Sequence, residues 1–299
     1  MMDSKLLGEE IKRLRKQQLL SQKELSDGIC CQTTISSIEK GRALPSIDIL
    51  YFIALRLNVT IDYFFQYNYQ NNQTYISDTI TSIEEYVKSK KYHEVYEITK
   101  FERKLSEARD LGRMFNQFID WHFFRSSQLI GLISWEECVE NLKLLLLSKE
   151  RNKVHFQNLR IKNVIANVYA ENGDYKEALK HYTDILNTNI KLEAYRRFKL
   201  KVYFNLSKLY FYEKLYEQSI EIAEKGIKLS LKLEDISMLG NLYIQASQSM
   251  LKLKNFDSST IQDYMNNAKF IFQLTENQKN LDFIKELEKQ VLDLEFSRA

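Results

Sequence analysis

The sequence predicts an all-α protein: five short helices closing one small core at the N-terminus, then a superhelical array of about five longer helix pairs with a C-terminal capping helix. Three observations carry this. The chain of 299 residues holds one proline, Pro45, and eight glycines scattered singly. Proline removes a backbone donor and breaks helix interiors, so a chain without one after residue 45 can be helical throughout. Apolar residues recur at three- and four-residue intervals, with no alternating strand pattern. Tyr92, Trp135, Tyr175, Tyr216 and Phe256 stand 43, 40, 41 and 40 residues apart, and a fixed period of this size marks a repeat architecture.

Leu7, Ile11 and Leu14 mark the first helix. Ser21 followed by Glu24 has the capping-box spacing, so a second helix runs from about Gln22 to Ile29 with Leu25 and Ile29 on one face. Gly28 stands where the chain must turn. Thr33 or Thr34 can cap a third helix, which points Ile35 and Ile38 inward and stops at Gly41. Ile49, Leu50, Ile53, Ala54 and Leu57 form the fourth helix; Ile61, Phe64 and Phe65 begin the fifth after Thr60. Residues 1–67 therefore form one unit. The polar run QYNYQNNQTY over 66–75 reads as a loop or hinge, with the linker placed over 68–78, and residues 79–299 form the array.

The stretches SQKELS and TTISSIEKGRALPSIDILYFIALRLNVTIDYFF resemble the lambda-repressor-like helix-turn-helix domain shared by phage repressors and xenobiotic-response-element regulators, over residues 5–67. The resemblance implies that the third helix lies in the DNA major groove, with Gln32, Thr33, Thr34, Ser36 and Ser37 as base readers. Gln22 would clamp a phosphate, helped by Lys23 and Lys40. Many relatives place Arg where this chain has Ser37. Without an Arg–guanine contact, operator specificity rests on Gln, Thr and DNA shape.

Charge alone does not point to nucleic acid. The net charge is +3, and residues 1–70 hold nine Lys/Arg against eight Asp/Glu, a balance of +1. The local cluster Lys12, Arg13, Arg15 and Lys16 offers a phosphate-contacting patch without a basic domain. Three cysteines, two of them the adjacent Cys30 and Cys31 at the turn, form no disulfide framework, and Cys138 reads as a core residue. No leader and no apolar run of about 18 residues is present, which predicts a cytoplasmic protein off the membrane. His93, His122, His155 and His181 lie in no metal-binding spacing, and there is no glycine-rich phosphate loop. No cofactor, metal or catalytic residue is therefore expected, and the chain reads as no enzyme.

Asn163 to Leu186, with Ala166, Tyr169, Gly173, Tyr175, Ala178 and Tyr182, resembles a tetratricopeptide unit. The same template fits Tyr210, Tyr216, Ser219 and Ala223; Leu129, Trp135, Cys138 and Leu142; Tyr86, Tyr92, Val95 and Thr99; and, more loosely, Met250, Phe256 and Ser259. The period near 41 exceeds the usual ~34, so helices or loops are longer. Leu281, Ile284, Leu287, Val291 and Leu294 mark the capping helix. Such arrays curl around a concave groove lined by the first helix of each pair. On those helices lie Asn163, Asn167, Asn205, Asn241 and Gln245. A side-chain amide both donates to and accepts from a peptide bond, so a ladder of amides can grip an extended peptide without reading its sequence. The alternative is solvated Asn on exposed helix faces.

Taken whole, the chain resembles the PlcR-type receptors of the RNPP family, Gram-positive quorum-sensing regulators that bind short imported peptides. IANVYAENG, SMLGNLY and MDSKLLGEEIKRLR carry the likeness. It implies a homodimer through the repeats, a palindromic operator, a peptide in the concave groove and DNA domains repositioned on binding. Asn163, Asn205 and Asn241 match the backbone-gripping positions; Lys88 and Lys90 match basic residues that pair with an acidic peptide group. Phe65 falls where an interdomain coupling Tyr is usual and cannot donate a hydrogen bond. Two other functions are compatible with the repeats: docking of a partner protein, and modulation of response regulators as by phosphatase-type relatives.

Overall fold

The computed structural model describes residues 3–106, 111–147, 156–253 and 258–296. All the regular structure among them is helical, and the chain divides into two compact units, Met1–Ser134 and Trp135–Ala299.

The first unit holds α1 (Ser4–Gln17), α2 (Gln22–Ser26), α3 (Gln32–Glu39), α4 (Ile47–Arg56), α5 (Ile61–Lys88), α6 (Tyr92–Leu105) and α7 (Arg113–Leu129). Leu7, Ile11, Leu25, Ile35, Ile38, Ile53 and Phe64 form the buried centre of its five-helix part. The capping box at Ser21–Glu24 is present. Helix α2 ends at Ser26, three residues before the predicted end. Gly28 there takes a positive φ of 69°, and the Arg56 guanidinium donates to the carbonyls of Glu24 and Asp27, which satisfies the orphan end of the helix. The N-cap of α3 is Cys31, not Thr33 or Thr34, and it makes no side-chain capping bond. Gly41, also at φ 69°, ends α3 through its N–H to Ile38 and the Arg42 N–H to Ser37.

Helices α1 and α3 meet at Gly8. A Cβ there would lie 2.1 Å from the Ile38 carbonyl oxygen, a backbone atom that cannot swing aside. Gly8→Ala gains up to about 1 kcal/mol of helix propensity. Overpacking of this kind costs about 1–3 kcal/mol and here outweighs that gain. We expect calorimetry to show a melting transition of the first unit lowered by several degrees. An unchanged transition would show that α1 slides freely over α3.

The expected loop over 66–75 is corrected: α5 runs unbroken for 28 residues, about 42 Å at 1.5 Å per residue. Asn, Gln and Tyr cost a helix only a few tenths of a kcal/mol each, and the run contains no Gly or Pro to stop it. Thr60 caps the start, and buried Phe64 and Ile83 anchor the two ends. The start packs on α1 and α4, the end on α6, so one helix belongs both to the helix-turn-helix core and to the first repeat.

The second unit holds α8 (Trp135–Leu146), α9 (Phe156–Glu171), α10 (Tyr175–Asn187), α11 (Glu193–Tyr212), α12 (Tyr216–Leu233), α13 (Leu239–Leu251), α14 (Ser258–Leu274) and α15 (Gln278–Phe296). The marker residues Tyr92, Trp135, Tyr175 and Tyr216 are each the first residue of a helix, α6, α8, α10 and α12; Phe256 lies outside the described residues. Three residues on, Val95, Cys138, Ala178 and Ser219 are all buried. The fifth repeat departs: Ser259 is exposed, and Ile261, Met265 and Ala268 take the inward positions of α14. Within this unit each helix packs on its neighbour in sequence, and α9, α11, α13 and α15 also pack on one another as a layer.

Candidate functional site

Of the residues expected to face DNA, Gln32, Thr33, Thr34, Ser36 and Ser37 lie along α3, Gln22 and Lys23 on α2, and Lys40 just after α3. Gln32 and Thr33 are exposed, and Thr34, Ser36 and Ser37 are half-buried; Lys23 and Lys40 are exposed. The Cys31 sulfur lies 2.9 Å from the hydroxyls of both Thr33 and Thr34, and those contacts pull its thiol down to about 7. Gln22 donates from Nε2 to Glu39 at 2.8 Å, which fixes the side chain while its second amide hydrogen stays available. Glu39 in turn binds Arg15 through two guanidinium bonds, 2.6 and 3.0 Å long, in the buried seam between α1 and α3. Burial pushes the Glu39 carboxyl up. The hydrogen bonds from Arg15 and Gln22 and the charge of Arg15 outweigh it and hold the group below its ordinary value.

The basic cluster on α1 is therefore divided. Arg15 is buried against Glu39, and Arg13 is tied to Glu10 and reaches Tyr63, while Lys12 and Lys16 remain exposed one turn apart.

In the second unit the amides form a network. Asn205 Nδ2 donates to Asn167 Oδ1 at 2.9 Å and to Asn163 Oδ1 at 3.3 Å, bridging α11 and α9. The Tyr182 hydroxyl donates to the same Asn167 oxygen at 2.6 Å. Burial, with the Glu171 carboxylate nearby, pushes the Tyr182 phenol up, so it stays protonated as a donor. The remaining hydrogen-bonding groups of the pair are the Asn205 oxygen and the Asn167 NH2, one acceptor and one donor. Both residues line a cavity of about 360 Å³, together with Glu171, Tyr175, Tyr182, Lys208 and Tyr212.

Of the other groove residues, Asn163 is buried and stands behind this cavity rather than in it. Asn241 accepts from Asn280 Nδ2 at 3.1 Å, a second amide pair between α13 and α15. Gln245 does not join the groove set: it is 4% exposed, with its amide 3.5 Å from Ser249, which in turn meets Ser219 of α12. One turn separates Asn241 from Gln245, and only packing decides which of the two faces outward. Lys88 and Lys90 are exposed at the end of α5, where Lys90 takes a positive φ of 57°. Phe65 is 46% exposed beside the buried Phe64. The residues missed by sequence reasoning are Tyr182 and Lys208. Tyr182 looked like repeat packing, and Lys208 like any surface lysine.

The sequence profile of the RNPP family C-terminal domain matches residues 80–291, and a helix-turn-helix profile matches residues 11–64. The chain belongs to the RNPP family. Among solved structures, this RNPP chain is similar to apo PlcR of Bacillus thuringiensis, at 28% identity and a TM-score of 0.74, over 94% of this chain and 98% of that one. PlcR of the same organism in complex with the peptide PapR7 and DNA gives 29% identity and a TM-score of 0.60, over 94% and 99%. ComR of Streptococcus vestibularis with its signalling peptide XIP shares the fold at 17% identity and a TM-score of 0.58, over 97% and 99%. No curated protein matches significantly. Among the described residues no helix is long and apolar enough to cross a membrane.

Proposed function

We propose that this RNPP protein is a cytoplasmic, non-catalytic transcriptional regulator that reads DNA with α3 and is switched by a short peptide bound at the repeats. The observation that carries the reading is the α9–α11 amide pair, which presents one donor and one acceptor to a cavity sized for one or two side chains. That is the complement of a single peptide unit. Asn163 supports it from behind, and Asn241 with Asn280 offers a second grip further along. Lys88, Lys90 and Phe65 are the proposed contacts of the first unit, for an acidic peptide group and for coupling to the DNA domain.

The continuous α5 sets how a signal travels. A loop would let the DNA domain lose memory of the repeats, whereas a helix anchored at both ends moves as a lever. Peptide binding then needs only to favour one arrangement of two such levers in a homodimer by about 1–3 kcal/mol to change DNA affinity some 5- to 150-fold. Gln32, Thr33, Thr34, Ser36 and Ser37 would read bases, and Gln22, Lys23 and Lys40 would hold phosphates. The two half-sites of a palindromic operator would lie about 34 Å, or a multiple, apart.

The test is to select a binding site from randomised duplex DNA with the full chain, then titrate synthetic peptides encoded beside the gene. A change in DNA affinity of at least fivefold, in either direction, is expected with one of them. DNA binding that ignores every peptide would end the peptide-switch reading, and failure to select any duplex would end the DNA reading.

A further inference from the structure

The cavity between α9 and α11 contains a charge that the amide grip does not use. Lys208 lies on α11 with Phe204 one turn before it and Tyr212 one turn after, its ammonium 5.6 Å and 5.9 Å from the two ring centroids. The rings hold the cation by their negative faces, which limits where the flexible lysine stem can put it. Among the described residues Lys208 has no carboxylate partner, unlike Arg15, Arg103, Lys162, Arg197, Lys225 and Lys269. Glu171 also lines the cavity and its carboxylate acts on Tyr182, so a carboxylate entering there is drawn to the Lys208 side and away from Glu171. Tyr175, Tyr182 and Tyr212 supply aromatic walls beside the ammonium.

We infer that Lys208 makes this cavity a carboxylate subsite: a peptide held on Asn167 and Asn205 places there either an acidic side chain or its C-terminal carboxylate. This rests on the peptide reading of the same groove and adds which chemistry the α9–α11 cavity selects. It is distinct from Lys88 and Lys90, which lie in the other unit. The bound carboxylate would accept from the ammonium in a charge-assisted hydrogen bond while its adjacent peptide unit meets the Asn205 oxygen and the Asn167 amide.

The probe is a set of synthetic heptapeptides in which one Glu is moved through a background of Leu, Phe and Ala. Each is made as the C-terminal acid and as the amide, and is titrated calorimetrically into the full chain and into Lys208→Met and Lys208→Gln. Wild type is expected to prefer the carboxylate-bearing members at least tenfold, with a preference that weakens as salt rises. Both variants should lose it while keeping the residual affinity of the neutral members. If the acid-versus-amide pairs carry the difference, the chain terminus fills the subsite; if the position of Glu carries it, a side chain does. Peptides that bind all three proteins with the same preference would overturn the carboxylate subsite and leave the peptide reading standing. A set in which no member binds wild type would overturn both.

Discussion

Replacing Asn205 by Ala is expected to remove the peptide response while leaving DNA binding intact. Asn205 is the bridge of the α9–α11 network. Its NH2 spends both hydrogens on Asn163 and Asn167, and its oxygen is the acceptor turned to the cavity. Truncation deletes that acceptor and two interhelix bonds together, and it releases Asn167, whose amide then loses the orientation that aims its donor. A missing partner costs about 1–3 kcal/mol per group where the site is desolvated, and this cavity is partly open to solvent, so the lower end applies. Two groups on one peptide unit, at about 1 kcal/mol each, therefore amount to a loss of about 30-fold in affinity. The change lies in the second unit, whereas α3 and its Arg15–Glu39 support lie in the first, so affinity for bare operator should be unchanged. Titrating peptide against operator-bound wild type and variant reads both quantities, and circular dichroism melting reports whether α9 and α11 stay together. An Asn205→Ala protein that melts and responds to peptide as wild type does would remove the groove assignment. Asn163→Ala should act in the same direction more weakly, because Asn163 is buried behind the cavity and accepts only the longer 3.3 Å bond.

The second large effect is expected at Glu39. Its side chain, nearly inaccessible at 2%, binds Arg15 and Gln22 and so joins α1, α2 and α3 at one carboxylate. Glu39→Ala leaves the Arg15 guanidinium buried without its counter-charge, and breaking a buried pair in this way costs about 3–5 kcal/mol. Gln22 also loses its anchor, so the proposed phosphate clamp loosens along with the fold. Scanning calorimetry should show the first unit melting well below its wild-type temperature, and operator affinity should fall at temperatures where the unit is still folded.

The pH dependence gives an independent check on Glu39. A carboxyl whose folded pKa is depressed contributes stability that is fully present above its unfolded value, about 4.3, and is lost as pH falls through the folded value. The difference in stability between wild type and Glu39→Gln should therefore be constant near neutrality and shrink below about pH 4, where wild-type Glu39 itself takes up a proton. A difference that stays flat down to pH 2 would mean that the carboxylate charge is not what stabilises the seam.

Much of this was legible in the sequence because it depends on local patterns. The Ser21–Glu24 capping box, the apolar spacing of the five-helix core and the 41-residue recurrence of aromatics are one-dimensional signals, each tied to helix geometry. Four of the five aromatics that mark the period begin a helix in the structure. The Asn positions also stood out, since amides at one repeat position are unusual on a helix face. Local patterns failed where neighbours from other helices decide the outcome. Residues 66–75 are polar, yet nothing in them breaks a helix, and anchors at Phe64 and Ile83 carry α5 straight through. Arg15 counted as surface charge until Glu39, 24 residues away, took it into the core. Asn241 and Gln245 are one turn apart and chemically alike, but α12 buries one and α15 engages the other. Lys208 is an ordinary lysine in the chain and an uncommitted cation only when the cavity is assembled. Propensity, capping and spacing within a few turns were enough to read the helical class, most helix positions and the 41-residue period, because those are local. Which polar groups face a cavity and which are consumed by partners was decided by tertiary packing alone, because hydrogen bonds and ion pairs are completed by residues tens of positions away.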